Sequence, residues 1–507
     1  MPTVESELHQ KYKGLIEGTI SCYDRLIIQG SLSGWGFVLA MASYLRKNNL
    51  DIKDFFSFAK EKNEAVRRSI EKVAMEHNCP IEFIRSPQRF NKEEHIQEIL
   101  QERGMHEGIV KIYSVMEVCD CYESCYEKES KRFTLTTRTN KCVHFYIYFI
   151  DKKCGLCFLR IPTYIPFRVQ FYMNGHNLLA NKLKEENIKY KMEDNAFIEI
   201  EDYTKASELF ETIRIENLHK WLDVIIKRYI PFLEETEQFY RWTIMQAEYS
   251  TDIIFKQGGC FQPIYDQLIL NSIHAIKPNN IAMFFDRRLC ANYKQRVCGN
   301  YNLDIQGTRI KHYMGVNSIK MYNKARNVLR VETTINKINE IKVWRTVNKK
   351  SGSKKKEFAI MKKTIYSLHD LGKYCQSANH RYLDFIAAFD DNSAGKKNLE
   401  KLSEKIDDKG RSSRGFNLFD PNDEKILLAI ESGEFNIHGL KNKTLKKKLG
   451  NELTANQISR ILRRLLVHKI IKKIKNTYKY YLTKFGKRVL AGAFMVKELN
   501  IIPAMSI

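Results

Sequence analysis

The chain has 507 residues, a net charge of +25 and a pI of about 9.4. This length predicts two to three domains, and a hydrophobic content of 43% is ordinary for a soluble protein. No apolar run is long enough to span a bilayer, and no apolar segment typical of a secretory signal follows Met1. We therefore expect a cytoplasmic protein with reduced cysteines and no membrane partner, and the charge favours nucleic acid as the partner.

The pattern of apolar residues predicts an α+β multidomain protein, with a mixed-sheet body, helices and a C-terminal winged helix-turn-helix. Residues 1–116 are predicted as an α/β region, with a strand over Thr19–Gly30 around Asp24. Residues 117–389 are predicted as a central α+β domain, with helices over Pro166–Lys184 and within Pro231–Phe255. A linker is predicted at 390–417 and a DNA-binding domain at 418–507.

The central stretch Gly307–Thr334 alternates polar and apolar residues, as half-buried strands do. Alternation places Lys320, Tyr322 and Lys324 on one face of a strand, and Arg330 and Glu332 on one face of the next. Six Lys/Arg and no Asp/Glu occur between Gly307 and Val331. The stretch therefore predicts a site that handles phosphate.

Four short motifs of this stretch occur in the order known from one family. They are Gly307-Thr308, Tyr313-Met314-Gly315 with Ser318, Met321-Tyr322-Asn323-Lys324 and Leu329-Arg330-Val331-Glu332. Their order resembles the central motif of plasmid rolling-circle replication initiators of the Rep_trans type and of related relaxases. The resemblance implies a protein of a mobile element that nicks and joins DNA strands through a tyrosine.

Such a reaction needs an exposed tyrosine, cations for the phosphate and usually a divalent metal held by carboxylates. The candidate nucleophiles are Tyr322 and Tyr313, and the candidate phosphate contacts are Lys320, Lys324 and Arg330. Mg²⁺ or Mn²⁺ would be held by Glu332, with Glu248 and Asp252 at i, i+4 spacing on a predicted helix. Two alternatives remain open. Tyr322 could be an ordinary strand tyrosine, or a nuclease could use Asp24 with Asp194, Glu199 or Glu248.

Cysteines are concentrated between residues 119 and 157, in a pattern that indicates a structural zinc site. The candidate ligands are Cys119, Cys142, Cys154 and Cys157, and His144 lies among them. Buried free thiols are the alternative. Separately, His176 lies within Asn174–Asn177, where one Gly and two Asn disfavour the predicted helix, and such a conflict often marks a functional position.

A very basic stretch, Lys337–Lys363, surrounds a Ser-Gly-Ser sequence at residues 351–353. It predicts either an exposed β-turn that faces phosphate or a solvated loop.

The C-terminal segment predicts three helices followed by two strands, the order of a winged helix. Thr454 caps the third helix, Ala455–His468, whose outward residues are Gln457, Arg460, Arg463 and Arg464. The strands carry Lys472, Lys473, Lys475 and Lys479. The whole chain also resembles large microbial proteins that end in a MarR-like winged helix, which implies DNA binding. DNA is favoured over RNA as the ligand, and a non-catalytic regulator or partner of a structured RNA is the alternative function.

Overall fold

The computed structural model describes residues 7–211, 215–236, 238–256, 259–289, 293–304, 307–348, 353–388, 400–408, 410–431, 435, 439–450, 453–474 and 477–496. It divides into two compact units. The first unit comprises residues 20–249 and 334–373, and the second comprises residues 1–19, 250–333 and 374–507. The predicted boundary between residues 116 and 117 falls inside a continuous strand of the first unit.

The first unit is built mainly of β-strands, of which the first alternates buried with more exposed residues. The strands in chain order are β1 (Ile16–Leu32), β2 (Ile81–Ile84), β3 (Gly108–Glu127), β4 (Arg132–Asp151), β5 (Gly155–Pro162), β6 (Val169–Met173), β7 (Tyr190–Glu193), β8 (Ala196–Ile200) and β9 (Tyr240–Phe255). They pair in the order β9-β1-β6-β5-β4-β3-β2, while β7 and β8 form a separate hairpin. The β2–β3 pair is parallel and β3–β4–β5–β6 is antiparallel, so the predicted mixed sheet is confirmed.

Helices of the first unit contact this sheet. The helices in chain order are α1 (Glu7–Lys11, in the second unit), α2 (Val38–Lys47), α3 (Phe55–Glu76), α4 (Lys92–Arg103), α5 (Gly175–Glu185), α6 (Tyr203–Glu211) and α7 (Ile215–Tyr229). Ile96 and Leu100 of α4 pack against Tyr113 and Val115 of β3. Burial of this apolar stripe against the sheet is the main stabilising term.

The second unit combines a sheet with helices on one face. Its elements are α8 (Phe261–Ala275), α9 (Pro278–Phe284), β10 (Val297–Asp304), β11 (Gly307–Met314), β12 (Asn317–Lys324) and β13 (Val328–Ile335). The strand order is β10-β11-β12-β13-β9. The hairpin β14 (Lys342–Asn348) and β15 (Lys354–Ile360) follows in the first unit, and α10 (Leu368–Ala387) comes next.

The tail of the second unit is a small helical module with its own core. Its elements are β16 (Ile406–Asp408), β17 (Arg411–Ser413), α11 (Pro421–Glu431), α12 (Asn442–Leu449), α13 (Ala455–Val467), β18 (Ile471–Lys473), β19 (Tyr480–Leu482) and α14 (Lys484–Val496). Leu402 and Phe416, which were predicted within the linker, are buried in this core. Residues 389–399 of the predicted linker lie outside the described residues.

Two helix predictions are wrong for local reasons. Residues 240–255 form strand β9, in which Tyr240, Trp242 and Ile244 are buried with the period of two that marks a strand. Within Pro166–Lys184 a strand precedes α5, and Asn174 caps this helix by accepting a hydrogen bond from the His176 N–H at 2.8 Å. Asn174 and Gly175, which would be unfavourable in the middle of a helix, thus lie at the start of α5. No helix among the described residues is long and apolar enough to cross a membrane.

Candidate functional site

Strands β11 and β12 present one apolar and one cationic face. Ile310, His312 and Met314 are buried, whereas the residues between them, Lys311 and Tyr313, are partly exposed. The register pairs Lys311 with Lys320 and Tyr313 with Ser318. The strict alternation of the sequence therefore gathers Arg309, Lys311, Lys320 and Lys324 on the same face as the two candidate tyrosines.

Tyr322, Glu332 and Lys320 form one connected group on this face. The Tyr322 hydroxyl donates to Glu332 Oε2 at 3.1 Å, and Lys320 Nζ lies 2.7 Å from Glu332 Oε1. The Glu332 side chain is 0% exposed and that of Lys320 is 20% exposed. The Arg309 guanidinium lies 5.3 Å from the centroid of the Tyr322 ring. A carboxylate bonded to a phenol can accept its proton, and nearby cations stabilise the resulting phenolate.

Arg330 and Asp252 do not serve the predicted roles. Arg330 Nε donates to Asp252 Oδ1 at 2.7 Å and Nη2 donates to Oδ2 at 2.6 Å, with both side chains 0% exposed. This bidentate pair satisfies both charges inside the protein. Arg330 is therefore a structural arginine rather than a phosphate contact, and Asp252 is not available to a divalent metal.

Tyr313 and Lys324 lie at the two ends of the same cationic face. The Lys311 ammonium group lies 4.9 Å from the centroid of the Tyr313 ring. Lys324 is half-buried, two residues beyond Tyr322 on β12. Among the described contacts, it is Tyr322 rather than Tyr313 that donates a hydrogen bond to a carboxylate, that of Glu332.

In the first unit, a polar group surrounds Asp24 on β1. Asn195 Nδ2 donates to Asp24 Oδ1 at 2.6 Å, and His176 Nδ1 lies 3.2 Å from the same oxygen. A carboxylate oxygen of Glu248 lies within 4.8 Å of one from Asp24. Sequence reasoning had named Glu248 as one of three possible partners of Asp24 and had singled out His176 separately, because the pairing of distant strands is not visible in one sequence.

Glu199, an alternative acid of the predicted nuclease, does not belong to this group. It forms an ion pair with Lys191 across the β7–β8 hairpin.

The structure divides the predicted zinc ligands into two sets. Cys119 Sγ lies 3.1 Å from Cys142 Sγ, and Cys142 Sγ lies 3.8 Å from His144 Nδ1. Cys154 and Cys157 are both buried and lie at the start of β5, outside this group. The shared proton between the two close thiols raises the pKa of Cys119. The Cys119 thiol, and then His144, lower the pKa of Cys142.

Helix α13 of the tail is fixed at its start by a reciprocal cap. The Gln457 N–H donates to Thr454 Oγ1 at 3.3 Å, and the Thr454 N–H donates to Gln457 Oε1 at 2.7 Å. Ile458, Leu462 and Leu465 are buried below. Gln457 and Arg460 are exposed, as predicted from the helical period.

Arg464 was predicted to face outward, and this prediction is wrong. Its Nη1 and Nη2 donate to the two Asp423 carboxylate oxygens at 2.6 and 2.7 Å. Its guanidinium lies 3.8 Å from the centroid of the Phe416 ring. Burial raises the pKa of Asp423, but the hydrogen bonds from Arg464 and Asn417 outweigh burial and lower it overall. Arg464 therefore holds the module together.

The remaining predicted contacts lie around α13 and the β18–β19 hairpin. Arg463 is 42% exposed and lies 3.9 Å from Asp408. Lys472 and Lys473 are exposed, Lys479 is half-buried, and Lys475 lies outside the described residues. Exposed lysines beside the exposed face of a helix can contact phosphates.

No protein-family model matches the chain, and no curated protein matches it. Among solved structures, the chain is similar to a rolling circle replication initiator protein from Geobacillus stearothermophilus. The sequence identity is 10%, the match covers 63% of this chain and 75% of that chain, and the TM-score is 0.18. A TM-score this low does not establish a shared fold, so function has to be inferred from the side chains of this chain.

Proposed function

We propose that the protein binds DNA and cuts and rejoins one strand through Tyr322, as its motif resemblance to replication initiators implies. The observation that carries this proposal is the hydrogen bond from Tyr322 to the buried carboxylate of Glu332. The geometry resembles that of a nucleophile beside its general base.

In the proposed reaction, Tyr322 Oη attacks a backbone phosphorus and its proton passes to Glu332 Oε2. A P–O bond to Tyr322 forms, and the bond from phosphorus to the 3′ oxygen breaks. The 3′ oxygen takes a proton from solvent, which leaves a 3′-hydroxyl and a 5′-phosphotyrosine ester. Attack by a 3′-hydroxyl on that ester reverses the step and joins the strand.

The cationic face of β11 and β12 would hold the scissile phosphate. Lys324, Arg309 and Lys311 share this face with Tyr322. Their positive charge would stabilise the additional negative charge that develops on the phosphate oxygens in the transition state. Lys320 contributes to the same field and forms an ion pair with the Glu332 carboxylate.

Mg²⁺ or Mn²⁺ fits the donor chemistry of the group around Asp24. The carboxylates of Asp24 and Glu248 approach each other, and both ions prefer oxygen ligands. His176 would supply a nitrogen, which Mn²⁺ accepts more readily than Mg²⁺ does. A bound divalent ion would neutralise phosphate charge. Glu332 was also predicted as a ligand, and its hydrogen bond from Tyr322 and ion pair with Lys320 suit a proton acceptor as well.

The tail would supply the DNA-binding surface. After β17, its described residues form three helices, two strands and a final helix, which is the order of a winged helix, and α13 would enter the major groove with Gln457 and Arg460. Lys472 and Lys473 would contact the backbone.

Structural zinc fits the group of Cys119, Cys142 and His144 rather than the predicted set of four cysteines. Two thiolates and an imidazole are typical zinc donors. Elemental analysis of unchelated protein is expected to give one zinc per chain. Cys142→Ser is expected to lose it and Cys154→Ser to keep it, whereas equal zinc in both variants would exclude this group.

The catalytic proposal is tested by incubating the full chain with supercoiled and single-stranded DNA and Mn²⁺. Tyr322→Phe is expected to remove nicking and the covalent protein–DNA adduct, whereas Tyr313→Phe is expected to keep both. Undiminished cleavage by Tyr322→Phe would overturn the assignment. If the unaltered chain binds duplex DNA tightly but never cleaves, the non-catalytic regulator is the correct function.

A further inference from the structure

The β14–β15 hairpin of the first unit presents aromatic and basic side chains on one exposed face. The register pairs Trp344 with Phe358 and Lys342 with Ile360, so these four residues share a face. The Trp344 and Phe358 rings lie 6.1 Å apart, between centroids, at an angle of 50°. Arg345 Nε donates to the Ile360 carbonyl at 2.7 Å and reinforces the strand pairing.

These apolar side chains are unusually exposed for their type. Trp344 is 67% exposed, Phe358 is 47% exposed and Ile360 is 49% exposed. By contrast, Trp35 and Trp242 are 0% and 3% exposed. A contiguous apolar patch rimmed by polar groups marks a surface that contacts a partner.

The charge of the hairpin selects the class of partner. The described strands carry five Lys/Arg and one acidic residue: Lys342, Arg345, Lys354, Lys355 and Lys356 against Glu357. Two copies of such a surface would repel each other, which disfavours self-association through this face. A polyanion with flat apolar groups would satisfy both the lysines and the aromatic rings.

We propose that this hairpin binds the unpaired bases of a single nucleic-acid strand, with Trp344 and Phe358 stacking on bases and the lysines contacting phosphates. Stacking of bases on exposed aromatic rings, combined with cations along the backbone, is how proteins hold single strands without sequence preference. Bases in a duplex stack on each other and offer no free faces to the rings. The proposal rests on the proposed DNA-processing function, because a nicked and opened strand is the substrate that supplies such bases.

The chain contains a built-in reporter for this contact. Of its four tryptophans, Trp35 and Trp242 are buried, Trp221 is half-buried and Trp344 is the most exposed. Stacked bases quench indole fluorescence, so addition of a 15-nucleotide oligo(dT) is expected to quench the red-shifted part of the emission. Trp344→Phe is expected to lose this quenching while keeping affinity within about threefold, because phenylalanine still stacks.

Trp344→Ala is the decisive variant. Loss of one stacking ring is expected to weaken oligo(dT) binding by about 5- to 150-fold. Phe56→Ala, which removes a 75% exposed aromatic ring from α3, is the matched control and is expected to bind normally. Circular dichroism and thermal melting of each variant check that the chain is folded.

The two proposals fail in different ways. If Trp344→Ala binds oligo(dT) as tightly as the unaltered chain, or oligo(dT) leaves the Trp344 emission unchanged, the hairpin inference is overturned while nicking through Tyr322 can still stand. If Trp344→Ala instead dissociates an oligomer of the chain, the patch is a protein interface. If quenching and the affinity loss both occur in a chain that never cleaves, the hairpin inference holds and the catalytic proposal fails.

Discussion

Arg330 and Glu332 lie two residues apart on one face of β13, yet their surroundings differ. Arg330 forms a bidentate pair with Asp252, whose two oxygens accept hydrogen bonds from two guanidinium nitrogens. Glu332 instead accepts a hydrogen bond from the Tyr322 hydroxyl and forms an ion pair with the half-buried Lys320. A fully matched pair stabilises the sheet, whereas a carboxylate that shares a proton with a phenol can carry chemistry.

The tail repeats this contrast on one helix. Arg464 is matched by Asp423 and stacks on Phe416, whereas Arg460, one turn earlier, is exposed. In both regions, the arginine that pairs with a buried aspartate, Arg330 or Arg464, has a structural role. The functional candidates are the nearby Glu332 in the sheet and Arg460 in the tail. Four substitutions test these assignments.

Glu332→Gln is expected to have the largest effect, a loss of about 100- to 10,000-fold in the nicking rate. The amide keeps the size of the side chain but accepts a proton poorly, so Tyr322 loses its base. The rate is measured by single-turnover cleavage of a labelled strand across pH. A rate that recovers at high pH, where tyrosine ionises without a base, would identify Glu332 as the proton acceptor, whereas an unchanged rate at neutral pH would refute this role.

Asp252→Ala is expected to destabilise the second unit by about 3–5 kcal/mol, because it leaves the Arg330 guanidinium buried without its partner. Thermal and urea unfolding of the full chain measure this loss. The double variant Asp252→Ala with Arg330→Met is the control and is expected to recover most of the stability. If Asp252→Ala leaves stability unchanged but abolishes cleavage, Asp252 belongs to the reaction after all.

The sequence predicts the elements of this region well because alternation of polar and apolar residues has a direct physical cause. A strand with one face in the core shows a period of two, so β11 to β13 and their shared face could be predicted, as could the helical period and cap of α13. The same reasoning placed Asp24 on a strand. These predictions depend only on neighbours within one element.

Partners across elements could not be predicted. Asp252 pairs with a residue 78 positions away, and Arg464 with one 41 positions away. No pattern in a single sequence distinguishes an arginine destined for a buried aspartate from one destined for phosphate. The cysteines show the same limit, because Cys119 and Cys142 meet only through the β3–β4 register.

His312 is expected to give a pH dependence of stability of up to about 3 kcal/mol, since burial lowers its pKa from 6.5 to about 4. Between pH 6.5 and 4 the unfolded chain binds a proton that the folded chain excludes. Stability is therefore complete above pH 6.5 and declines as the pH falls towards 4. His312→Leu should flatten this decline in thermal melts, whereas His106→Leu, at an exposed position, should leave it unchanged. Equal slopes in all three proteins would contradict the buried neutral imidazole.

Arg460→Ala is expected to have the smallest effect, a weakening of duplex DNA binding by about 1–3 kcal/mol with loss of discrimination at one base pair. Lys472→Ala should instead weaken all sequences alike and reduce the salt dependence of binding, because a phosphate contact releases counterions. Fluorescence anisotropy at several salt concentrations separates the two effects.

Arg464→Met provides the contrast, because it should lower the melting temperature of the tail before it changes any base preference. If Arg464→Met alters base preference in a fully folded tail, the matched arginine also reads DNA, and the contrast between structural and functional arginines fails there.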